Sequence, residues 1–161
     1  MSTGVLTISD KGFAKEREDT SGPAVCELLK SIGAVIERFE IIPDEIQAIT
    51  AKLMEYADTL QLDLVVTTGG TGVAPRDITP DATRKVLDKD IPGMAEAMRM
   101  ESFKKTPHAV ISRAMAGIRK KTLIINLPGS PRGATENLQV VLQAIPHTVK
   151  KIKGDPSDCA T

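Results

Sequence analysis

Leu64-Val65-Val66-Thr67 leads straight into Thr68-Gly69-Gly70-Thr71-Gly72, and this junction decides the architecture. A short apolar run rich in β-branched residues, with no polar alternation, has the pattern of a central parallel strand covered on both faces. Helices must therefore flank it. Upstream, Pro43-Asp44-Glu45 opens a segment with apolar residues at Ile46, Ile49, Leu53 and Ala57, and Met54 and Leu60 beside them. That is the period of a helix. Ala34 to Ile42 alternates as a strand does. Pro23 to Ser31 carries Val25, Leu28 and Leu29, with Ile32 just beyond, on one helical face, and Gly33 stops it. Val5 to Ser9 reads as the first strand, and DKGFAKEREDTSG, residues 10–22, as a charged loop.

Downstream, Thr79-Pro80-Asp81 has N-cap chemistry with Pro at the first helical position. Ile91 to Phe103 reads as a helix, Ala109-Val110-Ile111 as a short strand and Leu123 to Leu127 as a second buried strand. Gly133 to Lys153 has the length of a closing helix, bent near Pro146, and Gly154 to Thr161 reads as a frayed tail. Strands alternating with helices predict an α/β domain around a parallel sheet. Ligands in such sheets bind beyond the carboxyl ends of the strands. Ser9-Asp10, Pro43-Asp44, Thr68 to Asp77 and Pro128-Gly129-Ser130 all follow strands, so all four are expected on one rim.

The chain of 161 residues fits one domain spanning residues 1–161. Hydrophobic residues at 41% and charged residues at 26% exclude wholesale disorder. Lys plus Arg is 21 and Asp plus Glu is 21, so no dominant basic surface for nucleic acid is expected. Aromatics at 2%, without Trp, remove the stacking platforms that single strands require. No run approaches the ~20 apolar residues of a bilayer helix. The N-terminus lacks the basic and apolar regions of a signal peptide. With only Cys26 and Cys159, far apart, a reduced cytoplasmic setting is expected.

The strongest chemical signal is TTGGTGVAPRDITPDAT, Thr67 to Thr83. Gly69, Gly70 and Gly72 let backbone N–H groups approach an anion without interference from Cβ. The same glycines would serve a tight turn. No Gly-Lys-Ser/Thr follows, so this is not a Walker loop, and Pro75 falls where a dinucleotide-binding helix would begin. Arg76 and Asp77 place a cation and an anion on the loop, to meet a charged ligand or each other. Asp44, with Gln47 three residues on, has capping-box spacing, and as an alternative it is a ligand for Mg²⁺, which takes one or two carboxylates plus phosphates. Asp10, Asp19 and Asp63 compete for that role, and Asp63 lies at the wrong end of its strand. Gly129 and Ser130 offer a helix start to phosphate or a plain Ser N-cap. Ser112-Arg113 offers a planar fork to phosphate or to a pterin-like edge, or a solvated pair. The histidines, His108 and His147, have no zinc-like spacing.

TTGGTG, PRDITPDAT, IPGMAEAMR and ISRAMAGIRKKTLIINLPGSP, with the early TISD and DTSGPA, resemble the molybdenum-cofactor biosynthesis domain, the family of MogA, MoaB and the gephyrin G domain. The match covers about residues 4–153. It implies a three-layer α/β/α sandwich with a mostly parallel sheet, a homotrimer, binding of molybdopterin and ATP, and adenylylation of molybdopterin with release of pyrophosphate. Hand-off to a molybdate-inserting protein would follow. The resemblance puts Asp44 and Asp77 as the essential acidic pair, catalytic and Mg²⁺-coordinating. Gly69, Gly70, Thr71, Gly72 and Arg76 would line the ligand cleft, Ser112 its molybdopterin side, and Pro128, Gly129 and Ser130 the other wall. Ser9, Asp10, Ser21 and Gly22 would border it. The alternative is a MoaB-like binding module without chemistry, or an oligomerising scaffold. MoaB-like members can lack the acid after the second strand or alter the PRD segment, and this chain keeps both.

Overall fold

The computed structural model describes residues 1–156, so the segment 157–161, with Cys159 and most of the expected tail, lies outside the described residues. Strands β1 (Ser2–Ile8), β2 (Val35–Ile42), β3 (Leu64–Thr68), β4 (Lys89–Asp90), β5 (Ala116–Arg119) and β6 (Thr122–Leu127) form one sheet in the order β2-β1-β3-β6-β5-β4. The first three strands and β6 run parallel, while β5 is antiparallel to both β6 and β4. The α-helices are α1 (Asp10–Phe13), α2 (Ser21–Lys30), α3 (Ile46–Met54), α4 (Thr79–Val86), α5 (Pro92–Phe103), α6 (Pro131–Val141) and α7 (Ala144–Ile152), and α3 runs on into a π-helical turn, Glu55–Thr59.

Strand alternation sorts the core into two halves. Val5, Leu64, Val66, Leu123, Ile125 and Leu127 face α2, α5, α6 and α7. Leu6, Ile8, Val65 and Ile124 face α3 and α4. Every residue of β3 and β6 is buried, which explains their mainly apolar character; buried Asn126 in β6 donates to the Thr67 and Thr83 hydroxyls at 3.0 Å. The result is the expected three-layer α/β/α sandwich. The chain leaves β1 toward β2 and then returns to place β3 on the other side of β1, so a topological switch point lies between the ends of β1 and β3.

Several local readings are corrected. The segment 10–22 is not all loop. Ser9 caps α1 by accepting from the Gly12 N–H at 3.1 Å, and the Asp19 carboxylate accepts from the Ser21 and Gly22 N–H groups at 3.0 Å, so α2 begins at Ser21. Ala109 to Ile111 lies in a 3₁₀ turn, Pro107–Ile111, begun by Pro107 with the Thr106 hydroxyl accepting from the His108 N–H at 3.3 Å. The closing helix divides between Val141 and Ala144, ahead of Pro146. Pro146 falls in the first turn of α7, where its missing N–H removes no helical bond. The β4–β5–β6 meander was not legible. Its β5–β6 turn puts Lys120 at φ 51°, and the Lys120 N–H finds its acceptor in the Asp88 carboxylate at 2.7 Å.

Candidate active site

The polar segments meet where the switch-point rule puts them. Ile8 and Ser9 at the end of β1, Asp44 after β2, Thr68 to Gly70 at the end of β3, and Gly129 and Ser130 after β6 enclose a cleft of about 520 Å³. Asp77, Arg76 and Ser21 also line it. Thr71, Gly72, Ser112 and Pro128 line a second hollow of about 280 Å³, between the glycine loop, α5 and α6. Asp10 and Gly22 border these spaces without lining them. Asp10 ion-pairs with Arg76, and the Gly22 N–H donates to Asp19.

Glycine is required where the loops touch. Gly69 has φ +109°, and a Cβ there would lie 2.2 Å from the Ile8 carbonyl oxygen. A Cβ on Gly129 would stand 3.2 Å from the Gly69 Cα. These approaches bring the β1, β3 and β6 ends together. The Thr79 hydroxyl then donates to the Gly69 carbonyl at 2.9 Å, the Thr79 N–H donates to the Gly70 carbonyl at 3.1 Å, and the Thr68 hydroxyl donates to the Pro128 carbonyl at 2.7 Å.

The two predicted carboxylates converge. Asp44 is not the N-cap of α3, because that position is Glu45 and no side chain caps it. Instead Asp44 Oδ2 accepts from the Asp10 N–H at 2.8 Å, and the Asp44 N–H donates to Asp10 Oδ1 at 3.0 Å. Asp44 Oδ1 faces Gly70, 3.1 Å from where a Cβ would be. Burial pushes the Asp44 carboxyl above the usual carboxylate range, and repulsion from Asp10 and Asp77 adds to it against the Asp10 N–H and Arg76. Asp77 Oδ2 accepts from the Ala74 N–H at 2.8 Å, which folds the PRD segment back on itself. Burial also opposes the charge on Asp10, but the Asp44 N–H and the Arg76 guanidinium hold its carboxyl low. Arg76 lies across the mouth of the cleft, 2.7 Å from Asp10 and 3.1 Å from Glu45.

Arg113 does not present its fork to a ligand, contrary to the reading of phosphate or pterin contact. It is occupied by Asp81 at 2.9 Å and by the carbonyls of Gly72 and Asp77. Ser130 accepts from the Gly133 N–H at 3.1 Å and so is an N-cap, leaving the backbone at the start of α6 as its contribution to the rim. Asp63 accepts from the Ser2 N–H at 2.9 Å at the amino end of the sheet, away from the cleft. His108 lines the smaller hollow and His147 is exposed on α7. Sequence reasoning missed Arg17 and Thr7, which line the cleft, and named Asp19, which also lines it, only as a competitor for the cation. Asp19 accepts from the Thr7 hydroxyl at 2.6 Å and holds the start of α2. The Asp-Thr-Ser-Gly run, with donors two and three residues after an Asp, was the available signal.

Among the described residues no cluster of three or more His, Cys, Asp or Glu is placed to hold a metal. No helix among them is long and apolar enough to cross a membrane.

Known proteins resemble this chain in sequence and in fold. The molybdopterin adenylyltransferase of Helicobacter pylori strain J99 is 49% identical over 154 residues, 94% of this chain and 88% of its own length. The molybdopterin adenylyltransferase of Escherichia coli K12 is 43% identical over 145 residues, 88% of this chain and 73% of its own. The crystal structure of the molybdopterin biosynthesis enzyme MoaB from Thermus thermophilus superposes with a TM-score of 0.91 at 48% identity, covering 98% of this chain and 99% of that one. The family described as "Probable molybdopterin binding domain" matches residues 4–147, and with that span inside the sandwich that carries the cleft, the chain belongs to this molybdenum-cofactor biosynthesis family.

Proposed function

We propose that the chain is a molybdopterin adenylyltransferase, joining the terminal phosphate of molybdopterin to the α-phosphorus of ATP. One oxygen–phosphorus bond forms, the α–β anhydride breaks and pyrophosphate leaves. The observation that carries the reading is the meeting of Asp44 and Asp77 on one cleft walled by glycine loops and a helix start. The names of the similar proteins support it.

The roles follow from the chemistry of the groups. Phosphoryl-type transfer depends on positioning and on charge neutralisation more than on a strong base. The N–H groups of Gly70 to Gly72 and of the α6 start would hold phosphate oxygens, the Gly69 N–H being committed to the Leu127 carbonyl at 3.1 Å, and Arg76 would exchange Asp10 and Glu45 for a phosphate. The smaller hollow, with Ser112 and Pro128 on its wall, would take the pterin side. Ser9, Asp10, Ser21 and Gly22 would shape the border by holding α1 and α2.

The cleft fits Mg²⁺. A pair of carboxylates, one of them repelled by its neighbours, suits a cation that keeps several waters and takes its other ligands from phosphates. Asp44 and Asp77 would hold it. When bound, Mg²⁺ supplies charge neutralisation of the triphosphate. The remaining reading is a cytoplasmic homotrimer that hands its product to a molybdate-inserting protein and uses neither nucleic acid nor membrane. The test is pyrophosphate release from ATP, Mg²⁺ and molybdopterin. Asp77→Asn is expected to cut turnover by about 10²-fold while ATP affinity changes far less. ATP bound without pyrophosphate release would instead mark a binding module.

A further inference from the structure

We infer that Arg113 is a positioning residue for the reaction, one that sets the place of Asp77 in the cleft and couples it to the Ser112 wall of the neighbouring hollow. The inference rests on the adenylyltransferase reading. Its basis is the loop Thr71 to Asp77, which has no regular secondary structure and carries Asp77 at its far end. Arg76 within the loop pairs with Asp10 and Glu45, and the two ends of the loop are held by Arg113. The Arg113 N–H donates to the Thr71 carbonyl at 2.8 Å, its Nε donates to the Gly72 carbonyl at 2.7 Å, and a terminal nitrogen donates to the Asp77 carbonyl. One residue thus fixes both ends of the loop. Between them the Asp77 N–H donates to the Ala74 carbonyl at 2.9 Å, and Asp77 Oδ2 receives the Ala74 N–H. Holding the loop ends therefore holds the carboxylate.

The guanidinium is itself fixed. Asp81, near the start of α4, accepts from both terminal nitrogens at 3.0 and 2.9 Å, a bidentate contact that sets the plane of the fork. The same contact takes up the positive charge, so Arg113 directs donors at the loop without presenting a cation to the cleft. It lines neither wall of that cleft. From the other side, Arg99 of α5 donates to the Ala114 carbonyl at 2.7 Å and anchors the segment that carries Arg113. Ser112, on the same segment, faces the smaller hollow. A displacement of this segment moves the Asp77 loop and the Ser112 wall together. Lysine cannot reproduce this arrangement, because an ammonium group has no planar fork to span a carboxylate and two carbonyls at once.

The test compares Arg113→Lys, Arg113→Ala and Asp81→Asn in the full chain. ATP affinity is measured by calorimetry and turnover by pyrophosphate release. Arg113→Lys is expected to lower kcat by about 10²-fold, the cost of a displacement near 1 Å, with the Kd for ATP within about threefold. Ethylguanidinium at non-denaturing concentration is expected to restore at least about tenfold of the lost kcat to Arg113→Ala and none to Asp77→Asn. Asp81→Asn, which leaves the donors to Gly72 and Asp77 in place, is expected to lose less than about tenfold. Full turnover in Arg113→Lys, or no recovery of Arg113→Ala with ethylguanidinium, overturns the inference. A wild-type chain that releases no pyrophosphate overturns the adenylyltransferase reading instead. The placement is then read by hydrogen exchange: the Ala74 and Asp77 amides should exchange at least about tenfold faster in Arg113→Lys, and unchanged exchange overturns it.

Discussion

Asp44 shows how a site residue costs the fold something. Its carboxyl binds a proton more tightly in the native chain than in the unfolded one, through burial first and then the repulsion of Asp10 and Asp77. The native state therefore holds more protons from the ordinary value of 3.8 up to the raised one, and stability falls as pH rises through that window. The loss persists above it. Asp44→Asn removes this penalty, and the amide oxygen can still accept from the Asp10 N–H. The variant is expected to melt above the wild type at pH 7, with the gain vanishing below pH 3.8, while pyrophosphate release falls. Melting curves across pH check the sign, and a variant less stable at pH 7 would refute it. Asp44 itself was legible from its place after a strand. Its neighbours were not. Asp10 and Asp77 come from distant parts of the chain, and only folding decides which charges a carboxylate faces.

At the scale of elements, the loop after β3 is fixed by contacts that admit no side chain. Gly69→Ala would place a methyl 2.2 Å from the Ile8 carbonyl oxygen in a backbone with φ +109°. The expected loss is at least about 2 kcal/mol, from the left-handed backbone and the clash together, read as a lower urea midpoint. Gly93→Ala is the contrast, since no atom lies within 4 Å of its would-be Cβ near the start of α5, and it should be neutral or stabilising by about 0.5–1 kcal/mol. The central elements were readable for a related reason. β3 and β6 are buried on both faces, so their sequences carry apolar runs, Leu64 to Val66 and Leu123 to Ile125, with no polar alternation. The elements that escaped are those whose cue is tertiary. β4 has two residues, and the β5–β6 turn holds Lys120, not glycine, at φ 51°, with its N–H donated to the Asp88 carboxylate. Ala109 to Ile111 is β-branched enough to suggest a strand, but Thr106 and Pro107 begin a 3₁₀ turn there.

For the whole molecule, the proposed trimer needs an apolar face to bury. Met100 and Phe103 on α5, with Val110 and Ile111 on the adjacent 3₁₀ turn, are large apolar side chains left 49% to 69% exposed. Such a group is more than the scattered single exposures of a monomer. Second copies of this chain are the expected occupants. Met100→Glu with Phe103→Glu is expected to shift the oligomer to monomer in sedimentation, because each association would bury an unpaired carboxylate. An unchanged sedimentation coefficient would remove this face from the interface.

The sequence by itself determined the strand–helix alternation, the parallel core and the single rim that collects the polar loops. Those features depend on local periodicity and on strand direction, which neighbouring residues specify. Tertiary structure alone decided that Asp44 bonds Asp10 rather than capping α3, that Arg113 turns inward to the Asp77 loop, and that Asp19 holds α2. A polar side chain has several partners of equal chemical quality along the chain, and the one it takes is set by which distant backbone the core brings within hydrogen-bond reach.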